Sequence, residues 1–119
     1  EKIDDKKKFQ FYATPEGLAN RLVDLAEVES GMSVLEPSAG QGSIVEAVKG
    51  LDLPELDIVL VEMMEENCEV LEAKGYTPIS ADFLQCSPDE FGSFDRIIAN
   101  PPFLATVSSH QKDFATISQ

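Results

Sequence analysis

The chain has 119 residues, 43% of them hydrophobic, which is enough for a single globular domain with a substantial core. Its formal net charge of −13 argues against this segment gripping nucleic acid by itself, because affinity for DNA depends largely on lysine and arginine neutralising phosphates. No apolar run approaches the ~18 to 20 residues that span a bilayer, and the lysine-rich start lacks the apolar segment of a signal peptide, so we expect a cytoplasmic protein without membrane contact.

The chain opens with a charged, aperiodic stretch, residues 1–8, which we expect to be a flexible basic arm. An aromatic cluster then leads into a predicted helix, with Thr14 as N-cap and Pro15 at the first helical position. This helix should continue to about Val28, and Gly31 supplies a stop signal. Its predicted apolar face consists of Leu18, Leu22, Leu25 and Ala26.

The next segment has the pattern of a strand, a tight turn and a second helix. The strand is predicted from Ser33 to Leu35 and the helix from about Ser43 to Lys49, with Gly50 just past its end. The inward residues of this helix are predicted to be Ile44, Val45 and Val48.

Two glycines in the turn, Gly40 and Gly42, suit a loop that touches a ligand. Glycine tolerates positive φ and, without a Cβ, lets the backbone come close to a bound molecule. We expect the N–H groups of both glycines to face a ligand at the helix N-terminus. A dinucleotide fingerprint has a further glycine where this chain has Val45, which makes a nicotinamide-dependent oxidoreductase a distant alternative. Tight packing alone is the plain structural alternative.

The remaining elements continue the alternation of strands and helices. An apolar run from Asp57 to Val61 is typical of a parallel strand buried on both faces, and it ends at Glu62. A third helix is predicted from Glu65 to Lys74 with a stop at Gly75, followed by a short strand around Thr77 to Ser80. The last strand is predicted from Arg96 to Ala99. We therefore predict an α/β fold with a mostly parallel sheet of about four strands and flanking helices.

Polar residues stand where the predicted strands end, which is where ligands bind in parallel α/β sheets. These residues are Glu36, Glu62, Asp82 and Asn100. Glu62 follows Gly42 by about 20 residues, the spacing at which an acid can accept hydrogen bonds from ribose hydroxyls. Asp82 and Phe83 would offer an acceptor for an amine and an apolar wall for an adenine ring. The pattern predicts a site for an adenosine-containing cofactor.

The two cysteines, Cys68 and Cys86, form no Cys-X-X-Cys pattern, and the chain has one histidine, His110. Reduced, unliganded thiols are expected and no metal site is predicted. His110 lies in residues 104–119, a polar tail in which no fifth strand is predicted.

Five motifs follow one another in a distinctive order: Phe11-Tyr12-Ala13-Thr14-Pro15, Glu36-Pro37-Ser38-Ala39-Gly40-Gln41-Gly42, Glu62, Asp82, and Asn100-Pro101-Pro102-Phe103. In this order the chain resembles S-adenosylmethionine-dependent amino-methyltransferases, most closely the gamma-type DNA N6-adenine group. The resemblance covers residues 9–103, and the Asn-Pro-Pro-Phe motif is its most specific part. It implies a Rossmann-like methyltransferase fold, present here as the N-terminal, cofactor-binding part, with S-adenosyl-L-methionine as cofactor.

The resemblance also implies roles for individual residues. Glu36 and the glycine loop would hold the methionine part of the cofactor, Glu62 its ribose, and Asp82 with Phe83 its adenine. The loop residues concerned are Pro37, Ser38, Ala39, Gly40 and Gly42, with Ser38 at a position where glycine is common in the family. In the opening motif, the residues that would help to close the methionine end are Phe11, Tyr12, Thr14 and Pro15.

The Asn-Pro-Pro-Phe motif suits methyl transfer to an exocyclic amine, which is a poor nucleophile because its lone pair is delocalised into the ring. The Asn100 side-chain oxygen and the Pro101 carbonyl would accept the amine hydrogens and favour a tetrahedral nitrogen. Pro101 and Pro102 keep that backbone rigid, and Phe103 would stack on a flipped-out base. The resemblance implies adenine N6 in DNA as the acceptor.

Several alternatives stay open at this point. Ribosomal-RNA adenine and release-factor glutamine methyltransferases use similar motifs, the latter usually with tyrosine where this chain has Phe103. The family's sheet has more strands than are predicted here, so the later strands and the nucleic-acid-binding regions are expected outside this chain. The non-enzyme alternative is a reduced cofactor-binding or interaction module that self-associates through the exposed edge of its fourth strand.

Overall fold

The computed structural model describes residues 14–100. Its elements are α1 (Glu16–Ala26), β1 (Ser33–Glu36), α2 (Ser43–Lys49), β2 (Asp57–Glu62), α3 (Glu65–Ala73), β3 (Ile79–Ser80), two 3-10 turns (Phe83–Gln85 and Pro88–Glu90) and β4 (Arg96–Ile97). The basic arm, the polar tail and five of the predicted site residues lie outside the described residues; these five are Phe11, Tyr12, Pro101, Pro102 and Phe103.

The four strands form one parallel sheet in the order β3-β2-β1-β4. Ser33 of β1 pairs with Asp57 of β2, and Val34 of β1 pairs with Arg96 of β4. The chain thus moves outward from β1 through β2 to β3 and then crosses to the opposite side of β1. Such a reversal leaves a crevice at the carboxyl ends of β1 and β4, which is where ligands bind in this class of sheet. The predicted four-stranded parallel sheet is confirmed.

The prediction for α2 is confirmed in both its bounds and its buried face. Ile44, Val45 and Val48 are all buried, and the helix begins directly after Gly42 and ends before Gly50. Burial along β2 is less uniform than predicted. Asp57 is exposed, and full burial is reached only in the carboxyl half of the strand, from Leu60 to Glu62.

The buried face of α1 differs from the prediction. Leu25 is 56% exposed, whereas Ala19 and Val23 are buried beside Leu22 and Ala26. These four positions recur at helical spacing and define one face, and Leu25 falls outside it. They pack in one cluster with Val34 of β1, Ile44 and Val48 of α2, and Ile98, which directly follows β4.

Both ends of α1 also differ from the prediction. Pro15 occupies the N-cap position, and no side chain caps the helix there, so Thr14 is not its N-cap. The helix ends at Ala26, because Glu27 turns into a left-handed conformation at φ 53° before Gly31 is reached. Arg96 lies in β4, and its guanidinium donates to the carbonyls of Ala26 and Glu27. These bonds supply donors to carbonyls that would otherwise lack a partner at the end of the helix.

The end of α3 agrees with the prediction of a stop at Gly75. Gly75, at φ 96°, donates its N–H to the Glu72 carbonyl at 3.0 Å, and the Tyr76 N–H donates to the Leu71 carbonyl at 3.0 Å. This pair of bonds is the Schellman motif that commonly terminates helices. None of the helices between residues 14 and 100 is long and apolar enough to cross a membrane.

The strand β4 is shorter than the predicted Arg96 to Ala99. It ends at Ile97, although the Ile98 N–H still donates to the Leu35 carbonyl at 3.0 Å. Asn100 therefore lies just beyond the sheet, three residues after the end of β4, the strand at that edge of the sheet.

Candidate functional site

The predicted polar residues lie at one edge of the sheet. Glu36 and Glu62 are the last residues of β1 and β2, Asp82 follows β3 by two positions, and Asn100 follows β4. Since all four strands are parallel, their carboxyl ends face the same side of the domain. The structure thus brings the ends of four sequence motifs to the place where the sequence predicts a ligand.

The glycine loop after β1 is shaped by two residues with positive φ, Gly40 at 58° and Gly42 at 102°. A Cβ built on Gly42 would lie 3.1 Å from Cδ2 of Leu71, so this glycine also permits α2 to approach α3. At Gly40 a Cβ would meet nothing within 4 Å. The packing explanation therefore holds for Gly42, whereas Gly40 borders open space.

The N–H groups of the two glycines do not face outward, contrary to the prediction. The Gly40 N–H donates to Oε1 of Glu62 at 2.6 Å, and the Gly42 N–H donates to the Ala39 carbonyl at 3.1 Å. The loop is also tied to β2 by the Ala39 N–H, which donates to the Val61 carbonyl at 2.9 Å. The backbone donors of this turn therefore have acceptors within the protein, as buried N–H groups generally do.

Glu62 is the centre of these contacts and is only 6% exposed. Besides the Gly40 N–H, its carboxylate accepts from the Met64 N–H at 2.8 Å and from Nδ2 of Asn67 at 3.3 Å. A carboxylate has about four acceptor positions, so roughly one remains for a further donor. Glu62 is thus fixed in place and joins the glycine loop to the start of α3.

Asn67 was not identified from the sequence as part of this site. It is 1% exposed and lies four residues before Leu71, on the buried face of α3. The sequence did offer a signal for it, namely an asparagine within the apolar stripe of a helix. A buried amide must find hydrogen-bond partners inside the protein.

Glu36 is the second buried acid, with 2% exposure. Its Oε1 has no hydrogen-bond partner among the described residues. Burial, and secondarily the negative charge of Glu62, raise the pKa of Glu36 well above its ordinary value. A carboxyl group held in this way favours its neutral form until a positive charge comes close to it.

Glu36 is expected to make the protein less stable as the pH rises. The neutral form is favoured in the folded state, so its contribution is fully present below the unfolded-state pKa near 4.5 and is lost as the pH rises through the raised folded-state pKa. Relative to Glu36→Gln, the wild-type free energy of unfolding should fall by at most about 1.4 kcal/mol per pH unit in this window. Urea unfolding of both proteins measures this pH dependence, between roughly pH 5 and 8, the range in which proteins are generally most stable. Parallel curves for the two proteins would contradict the assignment.

Asn100 and Thr14 meet although they are far apart in sequence. Nδ2 of Asn100 donates to Oγ1 of Thr14 at 3.3 Å, and both side chains are half-buried. This contact uses the hydroxyl that the sequence predicted as a helix cap. It joins the Thr-Pro end of the opening motif to the first residue of the Asn-Pro-Pro-Phe motif.

Asp82 and Phe83 follow β3 and lie beside β2, where the Ala81 N–H donates to the Glu62 carbonyl at 3.1 Å. Oδ1 of Asp82 accepts from the Leu84 N–H at 3.1 Å and thereby begins the first 3-10 turn. The Phe83 ring stacks on Phe91, with centroids 5.9 Å apart. Phe91 was not predicted, and the sequence offers no local signal that pairs it with Phe83.

The other loop residues contribute in different ways. Pro37 and Ser38 are half-buried and Pro15 is exposed. The Ala39 methyl is buried with Val45, Leu60 and Leu71, so it belongs to the core beneath the loop.

Both cysteines are free thiols, and each lies within hydrogen-bond distance of a backbone carbonyl. Cys68 donates to the Glu62 carbonyl and Cys86 to the Asp82 carbonyl, both at 3.4 Å. Within residues 14–100 no group of three His, Cys, Asp or Glu side chains is placed to hold a metal ion.

Comparisons with known proteins point to methyltransferases. No family model matches the chain. A curated relative, the type II methyltransferase M.TthHB8I of Thermus thermophilus, is 35% identical over 91 residues, which cover 76% of this chain and 20% of the relative. The solved structure of TrmN from Thermus thermophilus is 28% identical with a TM-score of 0.61, covering 82% of this chain and 32% of TrmN. A candidate RNA methyltransferase from Pyrococcus horikoshii is 24% identical with a TM-score of 0.61, covering 99% of this chain and 64% of that structure.

These similarities, together with the parallel four-stranded sheet, show that the chain has part of a Rossmann-like methyltransferase fold. The chain spans 20% of the length of the curated relative that it matches. Most of that relative therefore lies outside the region of similarity.

Proposed function

We propose that this chain forms the cofactor-binding part of an S-adenosylmethionine-dependent N-methyltransferase, with adenine N6 of DNA as the favoured acceptor. The observation that carries the proposal is the pair of buried carboxylates, Glu36 and Glu62, at the ends of neighbouring strands beside a glycine loop. The similarity to a type II methyltransferase over 76% of the chain supports the same proposal.

The residues at this edge fit the chemistry of S-adenosylmethionine. Glu36 has a buried oxygen without a hydrogen-bond partner among the described residues, which suits the ammonium group of the methionine part. The remaining acceptor position of Glu62 suits a ribose hydroxyl, and Asp82 keeps Oδ2 for an adenine amine beside the Phe83 ring. Gly40 borders open space in which a ligand can approach the backbone.

When bound, S-adenosylmethionine would supply an electrophilic methyl group, which the acceptor nitrogen would gain as the carbon–sulfur electron pair stays on sulfur and one amine proton goes to solvent. In our proposal, Oδ1 of Asn100 accepts one amine hydrogen and turns the nitrogen lone pair toward the methyl group. The Pro101 carbonyl and the Phe103 ring, both outside the described residues, would hold the second hydrogen and the face of the base. The chain's contribution is therefore positioning and hydrogen bonding.

The strongly acidic charge of the chain bears on which part of the protein would bind the DNA phosphates. With a net charge of −13, this chain offers few cations to neutralise phosphates. We therefore assign the main DNA-phosphate contacts to parts of the protein other than residues 14–100, and keep for this segment only the contact with the reacting amine.

Calorimetric titration of S-adenosylmethionine into the 119-residue chain tests the cofactor half of the proposal. We expect saturable binding that Glu36→Gln weakens by about 10- to 100-fold, since hydrogen bonds to charged groups contribute about 1.5–3 kcal/mol. Glu66→Gln, an exposed change of the same chemistry on α3, is the matched control and should bind normally.

Transfer of a labelled methyl group to DNA, RNA and glutamine-containing peptides then tests the acceptor. Preferential labelling of adenine N6 in DNA is expected. A folded wild-type chain that binds no S-adenosylmethionine would contradict the proposal at its first step, and preferential labelling of RNA or peptide would replace the acceptor.

A further inference from the structure

The hydrogen bond between Thr14 and Asn100 determines how the Asn100 amide is presented. An asparagine side chain has an acceptor oxygen on one side and a donor NH2 group on the other. Nδ2 is engaged by the Thr14 hydroxyl at 3.3 Å, so Oδ1 lies on the opposite side of the amide. The sequence predicts that the Thr14 hydroxyl caps α1, but no side chain caps the helix at that end. The hydroxyl instead accepts the hydrogen bond from Asn100.

The orientation matters because the two sides of the amide have opposite effects on an amine. An amine hydrogen needs an acceptor. If the Asn100 NH2 group stood in the place of Oδ1, two hydrogen-bond donors would face each other. The terminal torsion of asparagine is broad and roughly two-fold, so without a partner on Nδ2 both orientations become accessible.

The framework around the contact keeps Thr14 in reach of Asn100. At the other end of α1, the Arg96 guanidinium from β4 donates to the Ala26 and Glu27 carbonyls. The helix is thus held to the β4 segment at both of its ends, and buried Ile98 packs in the core that α1 covers. Thr14 and Asn100, although 86 residues apart in sequence, are thus neighbours because α1 is attached to the β4 segment.

We propose that Thr14 is a positioning residue for methyl transfer, whose hydroxyl holds the Asn100 amide so that Oδ1 accepts a hydrogen of the substrate amine. This inference rests on the proposed function and adds to it a residue that acts through Asn100. Thr14 does not take part in bond making, and its effect is on the turnover of bound substrate.

Thr14→Val and Thr14→Ser form a matched pair for the test. Valine has nearly the shape of threonine but no hydroxyl, and serine keeps the hydroxyl. Thr14→Val should lower kcat by about 10- to 100-fold, an effect typical of a misplaced reacting group, with a clearly smaller change in KM for S-adenosylmethionine. Thr14→Ser should restore most of the turnover. In an Asn100→Ala background, Thr14→Val should have little further effect, because the two residues act as one unit.

A second measurement follows the amide itself. The Asn100 side-chain NH2 signals, assigned in the 1H–15N spectrum by their loss in Asn100→Ala, should shift in Thr14→Val and stay near their wild-type positions in Thr14→Ser. Equal turnover in the valine and serine variants, unchanged NH2 signals in Thr14→Val, or a loss confined to KM for S-adenosylmethionine would each overturn the inference while leaving the proposed function intact. A wild-type protein that binds S-adenosylmethionine but transfers no methyl group would refute the proposed function, and this inference with it.

Discussion

Replacing Asn100 by alanine is expected to lower kcat for methyl transfer by about 100- to 1,000-fold, the range found when one preorganised hydrogen-bonding group is removed from a transition-state site. In the proposed function the side-chain oxygen of Asn100 accepts a hydrogen of the reacting amine, and alanine has no such acceptor. Binding of S-adenosylmethionine should change by less than about twofold, because an interaction made mainly in the transition state affects kcat rather than ground-state affinity.

Single-turnover transfer of a labelled methyl group, with calorimetry of the cofactor, measures the two quantities separately. Asn20→Ala is the matched control, since Asn20 is an exposed asparagine on α1. The Thr14 hydroxyl that Asn100→Ala leaves without its partner is half-buried, so the loss in unfolding free energy should be about 1 kcal/mol. An Asn100→Ala protein that turns over at the wild-type rate would end the assignment of this residue.

The elements that the sequence predicts well are those whose determinants are local. The observed bounds of α2 agree with the predicted ones, about Ser43 to Lys49, because a glycine turn precedes the helix and Gly50 follows it. The stop of α3 at Gly75 is of the same kind, since a left-handed glycine and two backbone bonds suffice to end a helix. Alternating strands and helices likewise determine the parallel sheet through general connection rules.

The features that the sequence does not predict depend on contacts between distant residues. Thr14 is a good local candidate for an N-cap, but its hydroxyl is taken by Asn100, which is 86 residues further on. The Gly40 N–H is taken by Glu62, which is 22 residues away. Local preferences give way when a tertiary partner satisfies the same group, and no pattern within one segment shows which partner that is.

The candidate site shows the same division. The positions of Glu36, Glu62, Asp82 and Asn100 at strand ends follow from the strand pattern, and the structure places them at one edge. The partners of these side chains, among them Asn67 and Phe91, become visible only in the folded structure.

Replacing Glu62 by alanine is expected to lower the free energy of unfolding by about 2–5 kcal/mol, since a lost partner leaves a buried donor at a cost of about 1–3 kcal/mol. Three donors lose their acceptor at once: the N–H groups of Gly40 and Met64, and Nδ2 of Asn67. Removal of a negative charge beside Glu36 offsets part of this loss. Urea unfolding at pH 7 measures the change, with Glu66→Ala as the exposed control, expected within about 0.5 kcal/mol of wild type.

The same variant separates the structural role of Glu62 from its role in binding. Saturating S-adenosylmethionine should stabilise the wild type by about 2.7 kcal/mol at a concentration 100 times the dissociation constant, and should raise its melting temperature accordingly. Under the proposed function, Glu62→Ala should show almost no such rise, because it has lost both the proposed ribose acceptor and the bond that holds the glycine loop. If Glu62→Ala unfolds at the wild-type urea concentration, its carboxylate does not hold the loop. If it is destabilised but keeps the full thermal shift, Glu62 holds the loop without binding the ribose, and the cofactor must be recognised mainly through Glu36 and Asp82.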